Sequence, residues 1–194
     1  MLGRYKADVG RIADPVARAL LGARMRPNQL TVLGLFWSAV SAAAFAFDRQ
    51  RWGGVLLALA GICDILDGAL ARVSGQVSPF GAFLDSVLDR YSDLLVLAGL
   101  VVLFGRFGRA VDVLATLAAL IGTVMVSYTR ARAESAGVEC KVGLMERGER
   151  LLVLIAGAIF DLLVPAVWVV AVGANATALH RIWHTWRATQ GIYR

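Results

Sequence analysis

Four aspartates, Asp64, Asp67, Asp85 and Asp89, stand in segments that are otherwise apolar. Asp64 and Asp67 are three residues apart and Asp85 and Asp89 four apart, so on helices each pair shares one face and the two faces can converge on a single point. A hydrophobic core has no use for such pairs. Hard divalent cations do, because they take several oxygen ligands at once. The residues between the pairs suit the same chemistry. Gly68, Ala71 and Gly81 lack bulk where a flat base or a second helix could approach, and Arg72 could clamp a phosphate beside metal-bound carboxylates.

The elements that hold these residues are expected to lie in a membrane. Of the 194 residues, 58% are hydrophobic, and the mean hydropathy is +0.67, too apolar for a soluble domain of this size. Six apolar stretches, near residues 30–47, 53–73, 80–105, 109–133, 149–163 and 165–186, are candidate spans in an all-α, polytopic single domain covering 1–194. The fifth is short and closed by Asp161 and Pro165. Four aspartates facing lipid would cost about 10 to 14 kcal/mol, so they are expected to line a polar cavity. If both termini are cytoplasmic, fifteen of the twenty Lys and Arg residues fall on the inside, together with the aspartate site. The net charge of +6 then reads as a rim that attracts anionic headgroups and phosphorylated substrates. No motif for nucleic acid is present.

Residues 1–29 read as a cytoplasmic or interfacial segment without a cleavable leader. Within them Asp14-Pro15 predicts a helix start, with Gly22 as its stop and a short interfacial helix over 15–22. Cys63 and Cys140 have neither a CxxC partner nor a nearby histidine, which argues against both a disulfide and structural zinc. His180 and His184, one turn apart near the C-terminus, read as interfacial residues. A rival function, a divalent-cation transporter or proton relay, needs polar groups that continue to the opposite face. Beyond the motif, spans two and three are almost wholly apolar apart from Ser92 and Asp93. Asp93 continues the Asp85, Asp89 spacing by one turn and is expected to partner Arg90 or a neighbouring helix.

The string Asp-x2-Asp-Gly-x2-Ala-Arg-x8-Gly-x3-Asp-x3-Asp, running from Asp64 to Asp89, resembles the signature of the CDP-alcohol phosphotransferases at every defined position. Pro27-Asn28-Gln29-Leu30-Thr31 at the first span and the six-span layout fit the same family. The resemblance implies a homodimeric membrane enzyme with two Mg2+ ions, for which Mn2+ could substitute. Asp64 and Asp85 would bridge the ions, Asp67 would complete one site, and Asp89 would touch the other and act as general base. Gly68, Ala71, Arg72 and Ser78, with Asn28, Gln29, Leu30 and Thr31, would hold a CDP-linked lipid. An alcohol acceptor would take the phosphatidyl-type group and CMP would leave, with no covalent enzyme intermediate. Whether the lipid is ester- or ether-linked stays open.

The segments Ser127 to Glu134 and Glu146 to Arg150 are similar to the branch that makes phosphatidylinositol phosphate or its archaeal ether counterpart. Arg130, Arg132, Arg147, Arg150 and Arg181 are candidates to bind the phosphate of a phosphorylated polyol acceptor. Such a basic cluster disfavours choline or ethanolamine. Inositol 1-phosphate is expected over glycerol 3-phosphate on the resemblance alone.

Overall fold

A computed structural model describes residues 3–190, with side chains from residue 13 onward. Among the described residues are seven helices and no strand: α1 Gly3–Gly22, α2 Pro27–Ala46, α3 Gln50–Val73, α4 Pro79–Arg106, α5 Ala110–Ser135, α6 Arg147–Ile159 and α7 Leu163–Gln190. The six longer-range partners form a closed ring in which α2 packs on α3, α3 on α6, α6 on α7, α7 on α5, α5 on α4, and α4 back on α2. Helix α1 lies outside the ring against α3, where Ala13 and Ala17 pack with Leu30, Ala69 and Leu70. The ring interior is filled by Phe45, Leu97, Leu100, Leu103, Phe104, Leu163, Val167 and Val170.

The helix ends share one closure. In Phe47-Asp48-Arg49, Phe107-Gly108-Arg109 and Phe160-Asp161-Leu162, the middle residue is left-handed, with φ of 59°, 66° and 59°. The third residue's N–H donates to a carbonyl five residues back: Arg49 to Ala44, Arg109 to Phe104 and Leu162 to Gly157. This is the helix-terminating pattern that recovers orphan carbonyls, and aspartate tolerates the left-handed region better than most side chains. These three turns occupy the far end of the bundle, opposite the aspartates. At the site end the connections are residues 74–78 and the longer 136–146.

Four helices, α2, α3, α5 and α7, are long and apolar enough to cross a membrane, with mean hydropathies of 1.5, 1.9, 2.0 and 1.5. The chain is a multi-pass membrane protein. The other two expected spans do not meet that standard, for different reasons. Helix α4 has the length but carries Asp85, Asp89, Arg90 and Asp93. Helix α6 has only 13 residues, about 20 Å of rise against a hydrocarbon core of about 30 Å.

The N-terminal helix also differs from expectation. It runs from Gly3, with Pro15 inside it, rather than starting at Asp14. Proline removes one backbone hydrogen bond to the preceding turn, but Ala13 and Ala17, on either side of it, are both buried against α3. Packing on both flanks carries the helix through.

Candidate functional site

Asp64 and Asp67 project from the C-terminal half of α3, and Asp85 from the second turn of α4. Ser78 starts α4 by accepting a hydrogen bond from the Gly81 N–H at 3.0 Å, and Pro79 takes the first helical position, where its missing N–H costs nothing. That tight turn returns α4 to the level of α3. Carboxylate oxygens of Asp64, Asp67 and Asp85 all lie within 4.8 Å of one another. Asp67 Oδ2 and Asp85 Oδ1 are buried without a hydrogen-bond partner. Leaving such oxygens unpaired costs about 1 to 3 kcal/mol each, and three convergent carboxylates with uncommitted oxygens fit a divalent cation.

Asp89 stands beside this triad rather than within it. Its Oδ1 forms an ion pair with Arg147 Nη1 at 3.0 Å, and the same nitrogen lies 2.9 Å from Asp64 Oδ1. Arg147 is the first residue of α6, set there by the extended backbone of Glu146. One turn on, Arg150 is 4% exposed and donates to Asp93 Oδ2 at 2.8 Å. Arg147 Nε lies 3.5 Å from Asp93 Oδ1, close enough for charge attraction but without the alignment of a hydrogen bond. Arg90 is not the partner of Asp93; it donates to the Ser86 carbonyl of its own helix.

The other candidate arginines divide. Arg181 is 2% exposed, with Nε on the Val142 carbonyl at 2.8 Å, Nη1 on the Val126 carbonyl at 2.6 Å and Nη2 on Glu146 at 3.3 Å. It pins the 136–146 connection to α5 and α7. Gly143, at φ 129° beneath Thr177 and Arg181, permits that approach because any side chain there would collide with Thr177. Arg130 pairs with Glu134 at 2.9 Å and faces Glu146 at 3.9 Å. Arg132 is exposed and turned to Ser135. Farther out on this connection, the Lys141 ammonium hydrogen-bonds the Glu139 carboxylate and holds it below its usual range.

Beside the aspartates, a groove of about 560 Å³ is lined by Arg26, Pro27, Asn28, Gln29, Gln76, Val77 and Ser78. Asn28 and Ser78 come together across Gly81, whose absent side chain would touch both. Gln29 Oε1 also caps α2 by accepting from the Arg26 N–H at 2.8 Å. Thr31 lines the aspartate pocket and donates to the Pro27 carbonyl at 3.2 Å. Leu30 does not reach the groove, because its side chain is buried against α1 and α3. At Gly68 a methyl group would meet only Arg72, at 3.5 Å, so protein packing does not require glycine there. Ala71 and the exposed Arg72 complete the end of α3. The sequence reading missed Arg26 and Gln76 in the groove, Ser38 and Ser92 in the aspartate pocket, and Glu146 between two arginines. Proximity to the Pro-Asn-Gln-Leu-Thr segment was the one available signal for Arg26.

Known proteins match this arrangement. Residues 24–186 match the family model described as CDP-alcohol phosphatidyltransferase. The chain is 36% identical to the archaetidylinositol phosphate synthase of Pyrococcus horikoshii, over 94% of this chain and 95% of that one. It is 40% identical to the phosphatidylinositol phosphate synthase of Mycobacteroides abscessus, over 93% and 86%. The crystal structure of the Mycobacterium tuberculosis phosphatidylinositol phosphate synthase with CDP-DAG bound superposes with a TM-score of 0.83 and 33% identity, covering 91% of this chain and 94% of that one. A structure of the same mycobacterial enzyme in complex with manganese and citrate also gives a TM-score of 0.83. The chain belongs to the CDP-alcohol phosphatidyltransferase family. It is a transferase of phospholipid biosynthesis that moves a phosphatidyl-type group from a CDP-linked donor to an alcohol, and its acidic triad fits the use of a divalent metal.

Proposed function

We propose that this chain transfers the phosphatidyl-type group of a CDP-linked lipid to a hydroxyl of inositol 1-phosphate, using two Mg2+ ions held by Asp64, Asp67, Asp85 and Asp89. The observation that carries this reading is the position of Arg147, whose Nη1 lies 2.9 Å from a carboxylate of the metal-competent triad and 3.0 Å from Asp89. A guanidinium at that place can bring an anionic acceptor to the attacked phosphorus. The names of the archaetidylinositol and phosphatidylinositol phosphate synthases among the relatives support the same acceptor.

The divalent ions, when bound, would polarise the attacked phosphoryl group and neutralise the departing phosphate. Mn2+ suits the same oxygen ligands. Asn28, Gln29 and Ser78 in the groove, with Gly68, Ala71 and Arg72 at the end of α3, hold the CDP portion. Asp89 takes the proton from the acceptor hydroxyl as its oxygen bonds to phosphorus and the bond to CMP breaks. Arg147 and Arg150 receive the acceptor phosphate, with Arg130 and Arg181 behind Glu146 and Arg132 at the rim. Helices α2 to α7 form six crossings, α6 being short and shielded by α3 and α7, and α1 lies in the interface. Both termini and the site face the cytoplasm, where the basic residues cluster, and the enzyme works as a homodimer.

Incubating purified protein and Mg2+ with CDP-diacylglycerol or its ether analogue, and with inositol 1-phosphate, glycerol 3-phosphate or free inositol, tests this directly. CMP release is expected with inositol 1-phosphate above the other two. Preference for glycerol 3-phosphate would reassign the acceptor, and equal use of free inositol would remove the phosphate from the recognition.

A further inference from the structure

We propose that Asp93, which lies outside the family signature, is a positioning residue for the acceptor: its carboxylate holds Arg150 and tethers Arg147 so that both guanidiniums face the same phosphate. This inference rests on the acceptor-phosphate reading given above. Asp93 sits one turn beyond Asp89 on α4, with a side chain only 13% exposed. Each of its oxygens serves a different arginine, Oδ2 at 2.8 Å from Arg150 Nη2 and Oδ1 at 3.5 Å from Arg147 Nε. The two contacts differ in kind. Arg150 is clamped by a directed hydrogen bond, whereas Arg147 Nε is attracted without one, while its Nη1 lies between Asp64 and Asp89.

The position in the ring supports function over packing. Helix α4 packs chiefly on α2 and α5, and α6 chiefly on α3 and α7, so Asp93 reaches across the ring interior to α6. There it borders a small cavity also lined by Ser38, Ser92, Thr123, Arg150 and apolar side chains of α3, α4, α6 and α7. A buried ion pair is a poor way to stabilise such a place, because well-packed apolar side chains of similar volume serve as well or better. What the pair does provide is a fixed direction for two cations at the edge of the reaction site.

Two physical effects of removing the charge have opposite signs, which makes the proposal decidable. Asp93→Asn adds one unit of positive charge near the acceptor phosphate, and by Coulomb attraction alone acceptor binding would tighten. If Asp93 acts by positioning, binding weakens instead. The experiment measures kcat and both KM values for the full chain in detergent with CDP-diacylglycerol, Mg2+ and inositol 1-phosphate. Asp93→Asn is expected to raise the acceptor KM about tenfold, leaving the KM for CDP-lipid within about twofold. Arg147→Ala raises the acceptor KM as well, and the Asp93→Asn/Arg147→Ala double variant is expected to be clearly less than additive, because the two residues act as one unit. Asp93→Glu keeps the charge but displaces the carboxylate by one methylene; a selective rise of a few fold in acceptor KM supports the proposal where Asp93→Asn yields no folded protein. An unchanged or lowered acceptor KM in whichever variant folds, equal shifts in both KM values, or full additivity overturns it. A wild-type enzyme that uses free inositol as well as inositol 1-phosphate would instead overturn the acceptor-phosphate reading, before any variant is made.

Discussion

At the far end of the bundle Arg51 pairs with Asp161, Arg109 pairs with Asp112, and Arg106 donates to the Ala46 carbonyl. At the site end the single guanidinium of Arg147 faces Asp64, Asp89 and Asp93, while Asp67 and Asp85 each keep a buried oxygen without a partner. The same helices carry both arrangements. Where a pair is exposed, one cation per carboxylate is enough and little stability depends on it. Where carboxylates outnumber their donors inside a membrane bundle, the excess is an unmet demand for positive charge that a metal ion can meet.

Breaking the site end should have the largest effect. Asp64→Asn is expected to weaken metal and CDP-lipid binding together, and to lower turnover by about three orders of magnitude or more, since bound metal supplies several kcal/mol of charge stabilisation. Calorimetry with Mn2+ and with CDP-lipid reads the binding loss directly. Asp89→Asn, by contrast, should lower kcat about a hundred- to ten-thousandfold with CDP-lipid affinity largely kept. Comparable loss of that affinity in both variants would erase the division between ligand and base. Next in size, Arg147→Ala is expected to raise the acceptor KM about ten- to a hundredfold, while Arg132→Ala, at an exposed residue turned to Ser135, leaves it near wild type.

The far end should fail in another manner. A methyl group on Gly54 would lie 2.8 Å from Ala158 Cβ and 3.3 Å from the Ile155 carbonyl. Gly54→Ala therefore pushes α3 and α6 apart, at a cost of about 1 to 3 kcal/mol. A lower melting temperature with an unchanged ratio of the two KM values is the expected result. Smallest of all is Arg51→Ala, whose side chain and that of Asp161 are 71% and 60% exposed. No measurable change in melting temperature or activity is expected there.

What was legible in the sequence follows from how local the cause is. The convergence of Asp64, Asp67 and Asp85 could be read because they recur at helical spacing on either side of one short turn, whereas Asp89, read as the fourth of the set, stands beside them. The six apolar stretches correspond to helices α2 through α7, with boundaries shifted by a few residues. Local rules misled at Asp14-Pro15, where a good start signal lies inside a helix held by packing against α3. The arginines were the least legible. Arg150 finds Asp93 57 residues away, and Arg181 finds its acceptors 55, 39 and 35 residues away. Nothing near either arginine in the sequence separates a cation that braces a loop from one that faces a substrate. Leu30 illustrates the same limit, since a motif match could not say that its side chain turns toward α1.

The anchoring of residues 136–146 by Arg181 has a consequence for biosynthesis. The acidic residues are translated first, yet the connection that delivers Arg147 is held largely by side chains of the last helix, Thr177, Arg181 and His184. Asp89 and Arg181 are 92 positions apart in the chain, a delay of about 5 to 20 s at ordinary synthesis rates. For that interval the carboxylates sit in the bilayer without their protein cations in register. A nascent chain halted before α7 is therefore expected to expose 136–146 to protease, and release of α7 to protect it.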